Sequence, residues 1–170
     1  MKKWVAIWTL ALAAVGCGDD SDVFYTARYD VVQVAVEVAT QPPAGQEDAE
    51  GQQPEIVAQV SEDVLAKAPV RSGGSYLLEF TRYDGGTLTV RAAAEADPAV
   101  GEFDKQPGAS ALTFRYDGAE TEYAIESYTD KDSGVACVML AADLTAYYQA
   151  LYPDDYIVEV KRLEITSTTY

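Results

Sequence analysis

The stretch FTRYDGGTLTV, residues 80–90, decides the fold class, because it joins two apolar runs through turn-forming residues. Apolar side chains alternate on both sides of segment 84–86, whose sequence is Asp-Gly-Gly. Glycine tolerates positive φ, so this segment predicts the turn of a β-hairpin. A near twin, TFRYDGAETEYAI at residues 113–125, predicts a second hairpin that turns at 117–118. An antiparallel sheet is therefore the expected framework.

Both hairpins contain the tripeptide Arg-Tyr-Asp, which occurs at residues 28–30, 82–84 and 115–117. A repeated binding site would keep its side chains on one face of the sheet. The preceding phenylalanine stands two positions before the arginine in the second copy and directly before it in the third, so the two copies should face opposite ways. Spacings of 54 and 33 residues also fit no repeat. We therefore interpret the tripeptide as a sequence that precedes turns and not as a repeated binding site. Its Arg and Tyr lie at strand ends, where their polar tips remain in water.

Further elements follow from periodicity. Alternating apolar residues predict strands at 32–38 and 156–165, and an apolar run at 135–140 predicts a central strand. A four-residue period predicts a helix from 54 to 67, although its β-branched residues leave a strand pair open. A second helix is predicted after Asp143, whose carboxylate can cap free N–H groups. One side of that helix carries Leu144, Tyr147, Tyr148 and Leu151.

Three segments interrupt the pattern. Residues 40–54 and 97–110 are rich in glycine, proline and acidic residues, which predicts loops. The apolar phase of the last strand changes after Val160, which predicts a bulge or bend near Lys161. The expected fold class is α+β, with a mainly antiparallel β sheet that is sandwich-like or partly closed. It should contain about seven or eight strands and two short helices.

The first 17 residues, MKKWVAIWTLALAAVGC, have the layout of a secretory signal peptide. The apolar run is shorter than the roughly 20 residues that a membrane-spanning helix needs. Its end, Ala14-Val15-Gly16-Cys17, resembles the lipobox of bacterial lipoproteins, with Ala14 where leucine is usual. The resemblance implies cleavage before Cys17 and a lipid on its sulfur, hence attachment to the membrane. An ordinary cysteine after an ordinary cleavage site is the alternative.

An acidic segment, Gly-Asp-Asp-Ser-Asp at residues 18–22, follows the cysteine. It resembles the tether of small surface-exported lipoproteins of the Bacteroidota, which implies exposure at the cell surface from the outer membrane. A plain solvated linker is the alternative. The expected organisation is a signal peptide at 1–16, an acidic tether at 17–22 and a single β-rich globular domain at 23–170. No resemblance to a characterised family extends over that domain.

Composition excludes several kinds of chemistry. The chain contains no histidine, so Ser-His-Asp and Cys-His nucleophilic pairs and the common zinc sites are excluded. The leader removes two of the 12 basic side chains and none of the 28 acidic ones, which leaves a net charge of −18. Such a field repels phosphate backbones, so no nucleic-acid partner is expected. With Cys17 lipidated, Cys137 has no disulfide partner, and its apolar neighbours favour a buried, unreactive side chain.

Three groupings remain as candidate sites. Segment 130–134 begins like a calcium loop, but its glycine comes one position early and position twelve is Ala141, which favours a hairpin turn. Glu122 and Glu126 could pair as the carboxylates of a glycoside hydrolase, although any chain with 28 acidic residues contains such pairs. Aromatic rings beside carboxylates near the second helix could stack on sugars or anchor a protein; otherwise half of these tyrosines pack that helix onto the sheet. The group comprises Tyr147, Tyr148, Tyr152, Asp154, Asp155 and Tyr156.

The sequence thus predicts a lipid-anchored lipoprotein whose domain is a non-catalytic binding or accessory module. Its expected partners are the membrane, through the lipid on Cys17, and a protein or glycan. A carboxylate-dependent glycan hydrolase and a structural subunit of a surface assembly are the alternatives. Cys17 is the one site residue assigned, as the lipidation site. No catalytic, cofactor-binding or metal-ligating residue is assigned, and no cofactor is expected.

Overall fold

A computed structural model of the chain describes residues 23–41, 54–106, 108–129, 134 and 136–169. The leader, Cys17, the acidic tether and most of the calcium-loop-like segment therefore lie outside the described residues. The described part forms eight strands and two helices. They are β1 (Tyr25–Thr40), α1 (Pro54–Ala66), β2 (Ser75–Arg82), β3 (Gly85–Arg91), β4 (Pro98–Asp104), β5 (Ala111–Tyr116), β6 (Ala119–Thr129), β7 (Ala136–Asp143), α2 (Thr145–Leu151) and β8 (Ile157–Thr169).

The eight strands form one closed antiparallel barrel in which each strand pairs with its neighbours in sequence. β1 and β8 are the longest strands, with 16 and 13 residues, and their pairing closes the barrel. Closure removes free sheet edges, because the main-chain groups of both outermost strands find partners in each other. The mainly antiparallel fold with eight strands and two helices is confirmed. The sheet closes completely, where the sequence left sandwich-like and partly closed arrangements open.

The up-and-down strand order places both helices at one end of the barrel. α1 connects β1 to β2 and α2 connects β7 to β8, and in this topology both connections leave the same end, which we name the helix end. The chain enters β1 at the opposite end, together with the β2–β3 turn, and we name this the N-terminal end. Within the described residues, neither helix has the length and apolar character needed to cross a bilayer.

α1 covers the extended part of the β1–β8 ribbon. Its residues Ile56, Val60 and Val64, one turn apart, are all buried. They belong to a second apolar cluster, distinct from the barrel core, because β1 and β8 continue past the shorter strands and expose an apolar face that a helix can cover. The helix predicted at 54–67 is confirmed. The other members of this cluster are Val36, Val38, Leu144, Tyr148, Tyr152, Ile157 and Val160.

Aromatic rings fill much of the barrel interior. Tyr76, Phe103, Phe114 and Tyr123 are each 0% exposed. Ring centroids lie 4.9 Å apart for Tyr76 and Phe114 and 5.2 Å apart for Phe114 and Tyr123, in tilted arrangements that suit the ring quadrupoles. These rings come from β2, β4, β5 and β6, so four of the eight strands contribute an aromatic ring to the interior.

Both predicted hairpins are confirmed, but their turns differ. In the β5–β6 turn, Asp117 and Gly118 have φ of 53° and 73°, the left-handed pair that a two-residue hairpin needs. In the β2–β3 turn, residues 83–84 make the turn, and Gly85 and Gly86 are the first residues of β3 without left-handed φ. A side chain at Gly86 would overlap the main chain of β2. Glycine is therefore needed at position 86 because β2 and β3 lie very close together there, and not because of a positive φ.

The loop predicted at 97–110 is wrong over half of its length, because the seven residues of β4 lie within it. β4 pairs with β3 over seven residues and with β5 over three. Only Phe103 of this strand is buried, so the apolar alternation that marks a strand is missing. Gly101 is needed because a side chain there would overlap the carbonyl oxygen of Arg115. Hydrogen-bond partners on both sides make this segment a strand in spite of its composition.

The bend predicted near Lys161 is also wrong. β8 pairs with β1 without a register shift from residue 159 to 165, and the irregularity lies at Val158 instead. After Val160 the same alternate positions continue to face inward, but they carry polar or charged side chains. The strand therefore keeps its inward-outward alternation, and only the polarity of its inner face changes. These polar side chains are Arg162, Glu164 and Thr166, all buried.

Candidate functional site

Four polar side chains meet inside the barrel, and we name them the interior network. Arg162 and Glu164 of β8 form an ion pair with 2.9 Å between Nε and Oε1, and their side chains are 7% and 0% exposed. Tyr76 of β2 donates its hydroxyl hydrogen to Oε2 of Glu164 at 2.8 Å. Arg162 also donates from Nη2 to the hydroxyl oxygen of Tyr123 on β6, at 2.6 Å. The network thus links three strands across the interior.

Burial sets the protonation of the interior network. It raises the pKa of Tyr76 well above its ordinary value and also raises the pKa of Tyr123. Both phenols are therefore protonated at neutral pH and available as donors; the Tyr123 hydroxyl lies 3.3 Å from Oε1 of Glu164. Burial also raises the pKa of Glu164, which the hydrogen bonds from its partners counteract. Because these groups satisfy one another, the network is suited to holding the barrel in register rather than to proton transfer.

Sequence reasoning missed all four residues of the interior network. Charged residues on an alternating strand are normally read as its solvent face. A signal was nevertheless present, since Arg162 and Glu164 continue the phase that Val160 begins. Following that phase through the polar residues would have predicted charges on an inward face.

A second cluster joins the two helices, and we name it the α1–α2 cluster. Asp63 of α1 accepts a hydrogen bond from the hydroxyl of Tyr148 at 2.8 Å and pairs with Lys67 at 2.7 Å. The ammonium nitrogen of Lys67 lies 5.5 Å from the ring centroid of Tyr147 and 3.4 Å from its hydroxyl oxygen. The Tyr147 ring stands edge-on to that of Tyr148, with centroids 5.0 Å apart. The four side chains are therefore connected, and three of them, all but Tyr148, reach the surface.

The two tyrosines of this cluster have different roles. Tyr148 is 2% exposed and fixes α2 against α1, whereas Tyr147 is 54% exposed. The hydrogen bond from Lys67, and then that from Tyr148, lower the pKa of Asp63, and Asp63 in turn raises the pKa of Lys67. Both groups are thus charged across the neutral range. An exposed ring with a fixed ammonium beside it and a carboxylate in the same cluster is suited to contact a sugar ring or a peptide side chain.

The predicted start of α2 and its predicted apolar side are only partly confirmed. The carboxylate of Asp143 accepts the N–H of Thr145, the first residue of α2, at 2.9 Å, as predicted, although Leu144 and not Asp143 occupies the N-cap position. Hydrogen bonds with Thr145 lower the pKa of Asp143. The predicted apolar side is divided, because Tyr148 is buried while Tyr147 and Leu151 are 54% and 48% exposed. Two apolar side chains one helical turn apart thus remain on the surface of α2.

The predicted tyrosine group is likewise divided between packing and exposure. Tyr152 is half-buried, and its hydroxyl oxygen accepts a hydrogen bond from Gln59 of α1 at 3.1 Å. Tyr152 and the buried Tyr148 are the two tyrosines of this group that pack inside the protein, and both contact α1. Tyr156 is 47% exposed, like Tyr147 at 54%. The two acidic members, Asp154 and Asp155, lie in the turn after α2.

Glu122 and Glu126 do not share a cleft as a catalytic pair would. Both are exposed on β6, four residues apart on the same face. A glycosidase places its two carboxyl groups on either side of one bound sugar, whereas Glu122 lines a groove to which Glu126 does not contribute. This shallow groove of about 470 Å³ is also lined by Glu120 and Asp143, so it concentrates like charges.

The Arg-Tyr-Asp copies form exposed ion pairs. Arg82 and Arg115 both bind Asp104 of β4, and Arg115 also pairs with Glu120 at 2.6 Å. The arginines of the second and third copies do not face opposite ways, as the sequence predicted, because a bulge at Thr81 shifts the register before Arg82. The arginine side chains are 46% and 42% exposed, in keeping with polar tips at strand ends. Exposed pairs of this kind contribute at most about 1 kcal/mol each.

The structure tests the prediction for Cys137 but not the one for Cys17. Cys17 lies outside the described residues. Cys137 of β7 is only partly buried, whereas the sequence predicted a buried side chain. It lies on the outer face of the barrel, out of phase with the inward-facing Leu140.

Comparison with protein-family models finds no match, and comparison with curated proteins and with solved structures finds no significant similarity.

Proposed function

We propose that this chain is a lipid-anchored lipoprotein of the cell envelope whose barrel is a non-catalytic binding or accessory module. A lipid on Cys17 holds it at the outer membrane, exposed at the cell surface, and a protein or glycan is its partner. The lipobox-like end of the leader supports the anchor. The single observation that supports the binding role is the α1–α2 cluster, with its exposed Tyr147 ring.

The α1–α2 cluster is prearranged for binding. Tyr147 is held from two sides, by the ring of Tyr148 and by the ammonium of Lys67. Asp63 fixes both of those neighbours through the ion pair and the hydrogen bond. A side chain that is already ordered loses little conformational entropy when a ligand covers it, so more of the contact energy appears as affinity.

The barrel interior is a poorer place for a ligand. Eight-stranded barrels either fill their interior with side chains or hold one small ligand there. In the described part of this barrel, fully buried rings and the interior network occupy the centre. The partner is therefore expected on the outside of the helices.

Substitution of Tyr147 by alanine is expected to weaken binding about tenfold, which corresponds to roughly 1.4 kcal/mol, because an aromatic anchor is lost. The measurement is binding of residues 23–170 to a panel of glycans and peptides, followed by titration of the strongest ligand. Tyr83→Ala is the matched control, since Tyr83 is 64% exposed but lies at the opposite end. Equal affinity of both variants contradicts the assignment, and turnover of a glycan supports the hydrolase alternative.

Substitution of Cys17 by serine is expected to abolish incorporation of a fatty-acid probe in cells, because serine has no sulfur to carry the lipid. Cys137→Ser is the matched control and should be labelled like the wild type, since these are the two cysteines of the chain. Label that persists in Cys17→Ser would refute the lipid anchor. Label lost in Cys137→Ser would place the acylation on the barrel instead.

A further inference from the structure

Exposed apolar side chains gather at the N-terminal end of the barrel. Phe24 and Tyr25, where the described chain begins, are 59% and 41% exposed, and the preceding Val23 is 47% exposed. Tyr83, in the β2–β3 turn at the same end, is 64% exposed. We name these four residues the aromatic edge.

The aromatic edge is built onto the barrel core. The main-chain N–H of Phe24 donates to the carbonyl oxygen of Phe80 at 3.1 Å, and the two rings have centroids 6.3 Å apart. Tyr25 lies 5.3 Å from the same Phe80 ring, which packs at 4.7 Å against the buried Phe103. The rings of Phe24 and Tyr25 are therefore held in place by the core.

The short chain between Cys17 and Val23 limits how far the aromatic edge can lie from Cys17. Five residues, 18–22, separate Cys17 from Val23, and six steps of extended chain span at most about 20 Å. A lipid on Cys17 would keep the aromatic edge at the bilayer surface. The helix end lies at the far end of β1, whose 16 residues correspond to a height on the order of 40 Å in a tilted strand.

We propose that the aromatic edge docks on the interface of the bilayer, so that the barrel stands on its N-terminal end and presents the α1–α2 cluster outward. This rests on the lipid anchor proposed above. Phenylalanine and tyrosine rings suit the headgroup region, because tyrosine combines an apolar ring with a hydroxyl that remains hydrated. The surface is a zwitterionic bilayer, since the net charge of −18 opposes anionic lipids.

The docking contact is apolar rather than electrostatic. Arg82, the basic residue next to Tyr83, is already paired with Asp84 at 3.3 Å and with Asp104. It is therefore not an unpaired charge directed at headgroups. Docking should accordingly be insensitive to salt, in contrast to the attraction of a basic patch to anionic lipids.

The absence of tryptophan from the mature chain provides a direct test. Both tryptophans, Trp4 and Trp8, lie in the leader. Phe24→Trp or Tyr83→Trp therefore places a single fluorophore on the aromatic edge, and Leu151→Trp places one at the helix end as the control. The acylated proteins, purified from membranes, are returned to phosphatidylcholine vesicles whose acyl chains carry bromine. The edge probes should shift to shorter wavelength and lose most of their emission, while the Leu151→Trp probe should keep its own.

The outcomes separate docking from anchoring. Label from a fatty-acid probe and loss of the leader tryptophans are measured on the wild type purified in the same way. Unlabelled protein overturns the anchor and the docking together. Labelled protein whose edge probes are no more quenched than Leu151→Trp overturns docking alone and leaves the anchor standing. If high salt abolishes the quenching, the edge contacts the bilayer through charges, and the proposed apolar contact is wrong.

Discussion

Replacing Arg162 by methionine is expected to lower the free energy of unfolding by about 3–5 kcal/mol, because Glu164 is then left as an uncompensated charge inside the barrel. Glu164 is 0% exposed, so water does not stabilise it in place of the guanidinium. In a domain whose total stability is about 5–15 kcal/mol, this is a large fraction. Urea unfolding of residues 23–170 followed by circular dichroism measures the change.

Two further variants test the reason for that loss. Arg115→Met makes the same chemical change at an arginine that is 42% exposed and pairs with Asp104 and Glu120, and it should cost at most about 1 kcal/mol for each of the two pairs. The double variant Arg162→Met with Glu164→Met removes both charges, so it should be more stable than Arg162→Met alone. If Arg162→Met and Arg115→Met cost the same, the interior network is solvated and the argument from burial is wrong.

Replacing Phe103 by alanine is expected to cost about 3–5 kcal/mol, the range for deleting a fully buried ring. Phe103 is 0% exposed and packs against Phe80 in the barrel core. The loop predicted from the sequence implies a different result, since substitutions on exposed loops usually change stability by less than about 0.5 kcal/mol. Thermal unfolding of the same domain measures which result holds.

Val100 provides the control on the same strand. It is 68% exposed, so Val100→Ala should stay within about 0.5 kcal/mol of the wild type. A large loss at position 103 with none at position 100 would show that Phe103 packs in the core while Val100 faces solvent. Equal, small effects would contradict the place of β4 in the barrel.

The α1–α2 cluster could be recognised from the sequence only in part. Tyrosines near the second helix were singled out because aromatic residues and acids are dense there. Asp63 and Lys67 were not, since Asp63 lies 85 residues before its partner Tyr148. One turn of a helix predicts the Asp63–Lys67 pair, but no local pattern predicts which distant ring it meets.

By itself, the sequence determined what depends on near neighbours. Hairpins formed where turn residues separate apolar runs, and α1 formed where apolar residues recur every fourth position, because turn geometry and periodicity act over a few residues. The acidic net charge and the lack of histidine are also read directly from the residues. The barrel closure, the β4 strand and the inward-facing Arg162 and Glu164 were decided by tertiary structure alone. The closure and the inward-facing pair depend on partners remote in the chain, since β1 and β8 pair residues as distant as Arg28 and Thr169. β4 depends on hydrogen bonds with both flanking strands, β3 and β5, which its own composition does not reveal. Strand pairing of this kind leaves no local pattern, because its hydrogen bonds join main-chain groups that every residue type carries, and a charged side chain faces inward wherever other strands supply its partners.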